Sequence, residues 1–309
     1  MENRMKKIAL INDLSGFGKC SLTASIPVIS AMGIQACPLP TAVLTSQTGF
    51  SDYYCDDYTD RMDYFTQEWQ KLDVSFDGIY SGYLASAEQV KKVLHFLDVF
   101  QTDNIIYLAD PVLGDNGQQI KSFSPQLLAG MQSLCARATV CTPNLTELCL
   151  LTDSDYNALT AYADSCDYMQ YIQEIAQKLL YQNSIQNHIQ NNSRSVPDKP
   201  AAQTILITGI LCHKGGQPFM GNLAVTANDD RTYYYETPYT GQSFSGTGDL
   251  FASVLCGSLV QGLSISDAVQ KAVDFLLPAI EEATAEKLPR NHGIPFEKYL
   301  YQLIPSITA

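Results

Sequence analysis

Basic side chains are scarce in this sequence: 19 Lys and Arg stand against 32 Asp and Glu, a formal charge of −13. Such a surface repels nucleic-acid phosphates and anionic lipid, so any anion the protein binds must be held by local geometry. Cys-x-x-Cys pairs are missing as well. The nine cysteines (20, 37, 55, 135, 141, 149, 166, 212 and 256) therefore exclude paired zinc knuckles and a thioredoxin-like motif. Several of them (Cys141, Cys149, Cys256) sit in apolar runs, where a thiol acts as a small buried hydrophobe, which fits a reducing cytoplasm. His95, His188, His213 and His292 are too scattered for a zinc site and read as surface or helix residues. No apolar run approaches the roughly 18 residues of a membrane span. The start, MENRMKKIALIND, has only a four-residue apolar run before Asn12 and Asp13, unlike a signal peptide. The expectation is a cytoplasmic protein with neither nucleic acid nor membrane as partner.

Apolar material is plentiful: 46% of the 309 residues are hydrophobic, which excludes collagen-like, coiled-coil and wholly disordered chains. Short β-rich runs alternate with longer helical ones. Lys7–Ile11 reads as a buried strand, followed by a glycine-containing turn and a helix over Ser21–Met32 that Pro27 would kink and Gly33 would end. Phe76–Tyr80, Ile105–Ala109, Thr139–Thr142 and Thr204–Thr208 read as further strands. Ser86 and Gln89 have capping-box spacing ahead of a helix with Val90, Val93, Leu94 and Leu97 on one face. A helix over Ser266–Ala283 carries an apolar stripe interrupted by Pro278. This alternation predicts a doubly wound, mostly parallel sheet covered on both faces, with ligands beyond the carboxyl ends of its strands. Residues 182–203, rich in Gln, Asn, Ser and Pro, read as a polar, disordered insertion in a single domain spanning 1–309.

Four segments after strands could carry chemistry. In Phe244-Ser245-Gly246-Thr247-Gly248-Asp249, two glycines ahead of an apolar helix let amides converge on an anion, with Asp249 in the first turn; the plainer reading is a helix cap. In Thr142-Pro143-Asn144-Leu145-Thr146-Glu147, the Asn144 and Glu147 spacing is that of an ordinary cap, and equally places an amide and a carboxylate where hydrated Mg²⁺ and phosphates could be held. Asp110-Pro111-Val112-Leu113-Gly114-Asp115 is an Asp-rich turn whose Asp110 is placed to act on a metal or phosphate. Asp13-Leu14-Ser15-Gly16-Phe17-Gly18-Lys19-Cys20-Ser21 imitates two nucleotide motifs and satisfies neither: Ser21 replaces the third glycine of the dinucleotide fingerprint, and Cys20 replaces the Ser/Thr of a P-loop.

Taken together, these segments resemble the ribokinase superfamily and, within it, the pyridoxal/pyridoxamine (vitamin B6) kinases. Residues 81–89, Ser-Gly-Tyr-Leu-Ala-Ser-Ala-Glu-Gln, look like that family's SGYLGSAEQ; 110–115 resemble DPVMGD, 142–148 resemble (T/A)PNxxEL, and 246–249 match G-x-G-D. All four occur in family order.

The resemblance implies a three-layer α/β/α ribokinase-like fold and an ATP-dependent kinase that phosphorylates the 5′-hydroxymethyl group of a B6 vitamer. Asp249 would be the catalytic base, and the amides of Gly246, Thr247 and Gly248 the hole for the γ-phosphoryl group. Asn144 and Glu147 would organise Mg²⁺ and phosphate, with Asp110 beside the metal and Thr208 near the phosphates; Asp110 and Glu147 are the implied metal ligands. Asp13, Thr48, Gly49 and Tyr83 match positions that hold the pyridine ring. A monovalent cation is an optional further cofactor, and a homodimer is the implied assembly.

The helix N-terminus is expected to depress the Asp249 pKa, and a loose transition state would tolerate the weaker base. Two departures stand out. Asp13 occupies the place of the Ser in the family's I-Q-S element, where an acid would favour a cationic group, and Gln47 replaces a His. Hydroxymethylpyrimidine kinases are the nearest competing reading. A nucleotide-binding regulatory relative is the non-enzyme one.

Overall fold

The computed structural model describes residues 4–191, 203–227, 229 and 231–305, and shows a mixed α/β fold with a large, mostly parallel central sheet. In chain order the first elements are β1 (Lys7–Ser15), α1 (Ser21–Ala31), β2 (Gln35–Leu44), β3 (Cys55–Asp57), α2 (Thr59–Lys71), β4 (Gly78–Ser81) and α3 (Ala87–Phe100). There follow β5 (Ile106–Ala109), β6 (Gly114–Asp115), β7 (Gln118–Gln119), α4 (Pro125–Arg137), β8 (Val140–Cys141), α5 (Leu145–Thr152), α6 (Tyr156–Thr160) and α7 (Tyr168–Asn191). The last are β9 (Thr204–Lys214), β10 (Gln217–Thr226), β11 (Thr232–Pro238), α8 (Thr247–Val260) and α9 (Ile265–Ala285), then 3₁₀ turns at Arg290–His292 and Phe296–Leu303. The chain forms two compact units: Met1–Leu84, Lys92–Ile106 and Thr240–Ala309 make the first, and Ala85–Lys91 and Tyr107–Tyr239 the second.

In the first unit β1 pairs in parallel with both β4 and β2, and β3 closes on β2 antiparallel. Ile8, Ala9, Leu10 and Ile11 are all fully buried, as expected of a strand with both faces covered. Strand β1 runs four residues beyond the expected Ile11, and its register with β2 shifts between Asn12 and Leu14. That irregularity re-aims the polar residues at the strand's carboxyl end. Strand β2 has no counterpart in the sequence reading, and it carries Pro38 and Pro40. They are tolerated because β3 pairs only with Ala42–Leu44, leaving the stretch around both prolines as an edge.

Helix α8 is buried along almost its whole length and packs on α1 and α9. At Gly257 an added Cβ would lie 2.5 Å from the Met32 sulfur, so glycine sets how closely α8 approaches Met32, at the end of α1. Helix α9 continues through Pro278, as the expected helix over Ser266–Ala283 does. Burial of Phe275, Leu276, Ala279 and Ala283 outweighs the roughly 3 kcal/mol a mid-helix proline costs. The single tryptophan, Trp69, joins Phe65, Phe76, Phe96 and Phe100 in an aromatic cluster with centroid spacings of 4.6 to 6.0 Å.

In the second unit β8 lies between β5 and β9, parallel to both, and β10 and β11 continue the sheet antiparallel. Strand β9 extends six residues past the expected Thr208 to Lys214, where Gly215 and Gly216, at φ +58° and +77°, turn the chain into β10. Two consecutive left-handed residues suit a tight hairpin. The polar insertion expected at 182–203 is corrected in part. Residues 182–191 are the last turns of α7, and 192–202 lie outside the described residues. Amides hold these turns where apolar side chains are few: Gln186 Nε2 donates to Ser133 Oγ at 2.9 Å, Asn187 to the Ala136 carbonyl, and buried Asn183 to Gln203 at 2.8 Å. Among the described residues no helix is long and apolar enough to cross a membrane.

Candidate active site

In the first unit polar residues gather where β1 and β4 end and α8 begins. Gly246 is the N-cap of α8 in the left-handed region, φ +83°, and no side chain caps the helix. A Cβ at Gly246 would lie 2.1 Å from the Lys19 carbonyl oxygen, so glycine is required there twice over. A Cβ at Gly248 would meet nothing within 4 Å. Protein packing therefore does not require glycine at 248, and the surface over this amide is open to close approach. Thr247 turns its hydroxyl back to the Phe244 carbonyl at 3.0 Å, leaving its backbone N–H at the helix N-terminus.

Asp249, in the first turn of α8, is bound from other elements. Asn12 Nδ2 donates to its Oδ1 at 3.1 Å, Tyr80 Oη donates to the same oxygen at 3.3 Å, and the Ser21 backbone N–H donates to the carboxylate. Burial is the largest influence and pushes the Asp249 pKa up to about 6, with the nearby Asp13 charge adding to it and the three donors opposing it. The expectation of a depressed pKa at this helix N-terminus is thus reversed: taking the carboxylate out of water outweighs its hydrogen bonds. Burial, together with Asp249 and Asp13, also lifts the Cys20 thiol to about 12, so Cys20 is not a thiolate nucleophile near neutrality.

The expected ring-binding residues differ in environment. Asp13 is buried, and both its oxygens are occupied: Ser15 Oγ donates to Oδ2 at 2.7 Å and Ser21 Oγ to Oδ1 at 2.6 Å. Burial raises its pKa against those two bonds. Half-buried Tyr83 gives its backbone N–H to Asn12 Oδ1 at 2.9 Å. Thr48 and Gly49 are exposed on a loop clamped by Gln47. Gln47 Oε1 accepts from the Gly49 N–H at 2.7 Å, and Nε2 donates to Ser245 Oγ and the Asn291 carbonyl, both at 3.3 Å. Beside this loop, Phe17, Phe50 and His292 bring three rings together at 5.2 to 6.1 Å between centroids. The sequence reading missed Asn12, Tyr80, Gln47's clamp and this trio; a bare polar residue at the end of a strand was the only available signal.

In the second unit Glu147 and Asn144 form the full capping box of α5. Asn144 Oδ1 accepts from the Glu147 N–H at 3.0 Å, Glu147 Oε2 accepts from the Asn144 N–H at 2.8 Å, and Oε1 accepts from the Leu113 N–H at 3.2 Å. Asn144 Nδ2 donates to the Gly114 carbonyl at 2.8 Å. The capping reading of this motif is therefore realised in full. Burial, then the negative Asp110, drives the Glu147 pKa well above its ordinary range. Half-buried Asp110, just past the end of β5, accepts from Thr142 Oγ1 at 3.2 Å. Thr208 donates its N–H to the Pro143 carbonyl at 3.0 Å and pairs with Asn144 in an isolated parallel bridge. The structure thus gathers Asp110, Asn144, Glu147 and Thr208 within the second unit, and Asp13, Tyr83 and Asp249 within the first.

Two carboxylates close enough to interact, with burial and then the Asp110 charge raising the Glu147 pKa, could together hold a divalent cation. Glu147 has committed both oxygens to backbone donors, so Asp110 is the better placed to bind a metal directly. No group of three or more His, Cys, Asp or Glu suited to a metal occurs among the described residues.

The sequence profile of the phosphomethylpyrimidine kinase family matches this chain over residues 18–184 and 172–294. Among solved structures, a Bacteroides thetaiotaomicron protein provisionally named a phosphomethylpyrimidine kinase, in an orthorhombic crystal form with pyridoxal, is 37% identical. The alignment covers 99% of this chain and 98% of that one, with a TM-score of 0.84. The pyridoxal kinase of Dictyostelium discoideum is 24% identical over 305 residues, 92% of this chain and 87% of that protein. A provisionally named pyridoxal kinase of Schizosaccharomyces pombe is 23% identical over 188 residues, 60% of this chain, which spans only 47% of that relative's length.

Proposed function

Because the chain belongs to the phosphomethylpyrimidine kinase family, we propose that it is an ATP-dependent kinase acting on the 5′-hydroxymethyl group of a B6 vitamer, with Asp249 as the base. The observation that carries the reading is the environment of Asp249: a half-buried carboxylate with a pKa near 6, in the first turn of a helix whose N-terminal amides are unobstructed at Gly248. Such a group is ionised at neutral pH yet basic enough to take a proton.

The acceptor oxygen attacks the γ-phosphorus as its proton passes to Asp249, and the bond from that phosphorus to the ADP oxygen breaks. The amides of Gly246, Thr247 and Gly248 stabilise charge on the equatorial oxygens. Thr48, Gly49 and Tyr83 bound the ring. Asp110 and Glu147 would hold Mg²⁺, and Thr208 would lie by the phosphates. Mg²⁺, when bound, supplies charge neutralisation on the phosphate oxygens.

Folded protein should release ADP from ATP only when pyridoxal, pyridoxamine or pyridoxine is present. Asp249→Asn should lower kcat by about 10²- to 10⁴-fold with ATP binding intact; near-normal kcat would refute the base assignment. A second reading, phosphorylation of a hydroxymethylpyrimidine, is favoured by the matching family's own description. The ratio of kcat/KM for pyridoxal to that for hydroxymethylpyrimidine decides between the two.

A further inference from the structure

Two adjacent residues at the end of β1 control the carboxylate that the proposed function makes the base. Asn12 is almost fully buried. Its Oδ1 accepts from the Asp13 and Tyr83 backbone N–H groups at 3.0 and 2.9 Å, which obliges its Nδ2 to face Asp249 Oδ1 at 3.1 Å. The amide has no room to swing, since even a Cβ at Gly82 would lie 2.4 Å from Nδ2.

Asp13 reaches the base by a different route. The chain entering α1 passes through three residues of positive φ, Gly18 at +123°, Lys19 at +53° and Ser21 at +51°. Left-handed backbone is unfavourable for Lys and Ser and persists only when neighbours enforce it. Asp13 Oδ1 accepts the Ser21 hydroxyl at 2.6 Å. That bond anchors the residue whose backbone N–H donates to Asp249.

We propose that Asn12 and Asp13 are positioning residues for Asp249, Asn12 by direct donation and Asp13 by holding Ser21 in the left-handed conformation that aims its N–H at the carboxylate. This inference rests on Asp249 being the base. It gives Asp13 a role other than contact with the vitamer, in agreement with both Asp13 oxygens being occupied by Ser15 and Ser21.

Steady-state kinetics of Asn12→Ala, Ser21→Ala, Asp13→Asn and the Asp13→Asn/Ser21→Ala double variant test it, with ATP and each of pyridoxal, pyridoxamine and pyridoxine, between pH 5 and 9. The titratable groups facing Asp249 are Asp13 on β1, Tyr80 on β4 and Cys20 before α1. Each single variant should lower kcat by about 10- to 100-fold, leave vitamer KM within about threefold and preserve the vitamer ranking. The double variant should be no worse than the poorer single one, as two links of one path require. Loss of the Asn12 donor, or of the Asp13–Ser21 bond that aims the Ser21 N–H, should move the acid limb of kcat to higher pH in Asn12→Ala and Ser21→Ala.

A changed vitamer ranking or a KM-only effect in Asp13→Asn would overturn the inference, as would additive losses in the double variant or an unmoved acid limb in both Asn12→Ala and Ser21→Ala. If Asn12→Ala fails to fold, the Asp13 and Ser21 measurements decide alone. An inactive Asp249→Asn beside near-normal Asn12→Ala and Asp13→Asn sinks this inference and leaves the base standing. An active Asp249→Asn sinks the base itself.

Discussion

Helices α5 and α8 each carry a carboxylate at their third residue, buried Glu147 and half-buried Asp249, yet the two serve opposite ends. Glu147 turns back on its own helix: it closes a capping box with Asn144 and takes the Leu113 N–H as well. Asp249 follows a left-handed glycine with no side chain to cap with, and takes its donors from β1, β4 and the segment entering α1. The N-cap residue decides which happens. Asn144 engages the N3 backbone and invites the reciprocal bond, whereas Gly246 offers nothing and leaves the carboxylate to outside donors. One group is used up in holding the backbone; the other is free to carry a proton.

The comparison breaks most visibly if the two carboxylates respond alike to removal. Glu147→Ala strips two buried backbone N–H groups of their acceptor, each costing about 1–3 kcal/mol, and should lower Tm markedly. Asp249→Asn keeps an oxygen for Asn12 and Tyr80 and removes a buried charge. A carboxyl whose folded pKa is raised from 3.8 to about 6 binds protons more tightly folded than unfolded. Its ionisation costs stability as pH rises from about 4 to 6, and the cost is then constant. Asp249→Asn should therefore raise Tm at pH 7.5 by the equivalent of about 1–3 kcal/mol, with the gain vanishing below about pH 4. Calorimetry at pH 7.5 and 4 checks both signs; a lowered Tm in both variants would make Asp249 another structural cap.

The two glycines of the α8 entry sharpen the same contrast. Gly246→Ala forces a Cβ to 2.1 Å from the Lys19 oxygen at φ +83° and should destabilise by several kcal/mol. Gly248→Ala meets no protein atom within 4 Å. It should melt within about 0.5 kcal/mol of the parent while kcat drops about tenfold or more, because only a ligand would feel the methyl group. Equal activity in Gly248→Ala would remove the anion hole from this helix.

Much of this contrast was legible beforehand, and what was hidden has a physical explanation. Asp249, Glu147 and their helix starts are local patterns, so spacing alone found them. Asn12 and Tyr80 are 237 and 169 residues from the carboxylate they bind, and no local period reports such a bond. The sign of the Asp249 shift was missed for a related reason: a helix N-terminus is visible in sequence, but the burial that overrides it is tertiary. Strand β2 carries prolines tolerated only because one edge is open, and the end of α7 is held by amides whose partners, Ser133 and Ala136, lie on another helix, α4.

The smallest expected effect concerns the exposed rim of the first unit, where neither carboxylate is touched. Phe17 is 52% exposed and contacts Phe50 and His292 edge-on or tilted. So much exposed aromatic area gains little for folding, but flat rings beside the Thr48–Gly49 loop suit a flat heteroaromatic acceptor. Phe17→Ala should raise KM for pyridoxal about three- to fivefold, leave KM for ATP and kcat unchanged, and shift Tm by no more than a degree or two. A fall in kcat equal to that of Asn12→Ala would instead place Phe17 on the path to the base through the Gly18–Ser21 segment. The difference between holding the acceptor and holding the carboxylate would then have to be drawn inside that loop rather than at its edge.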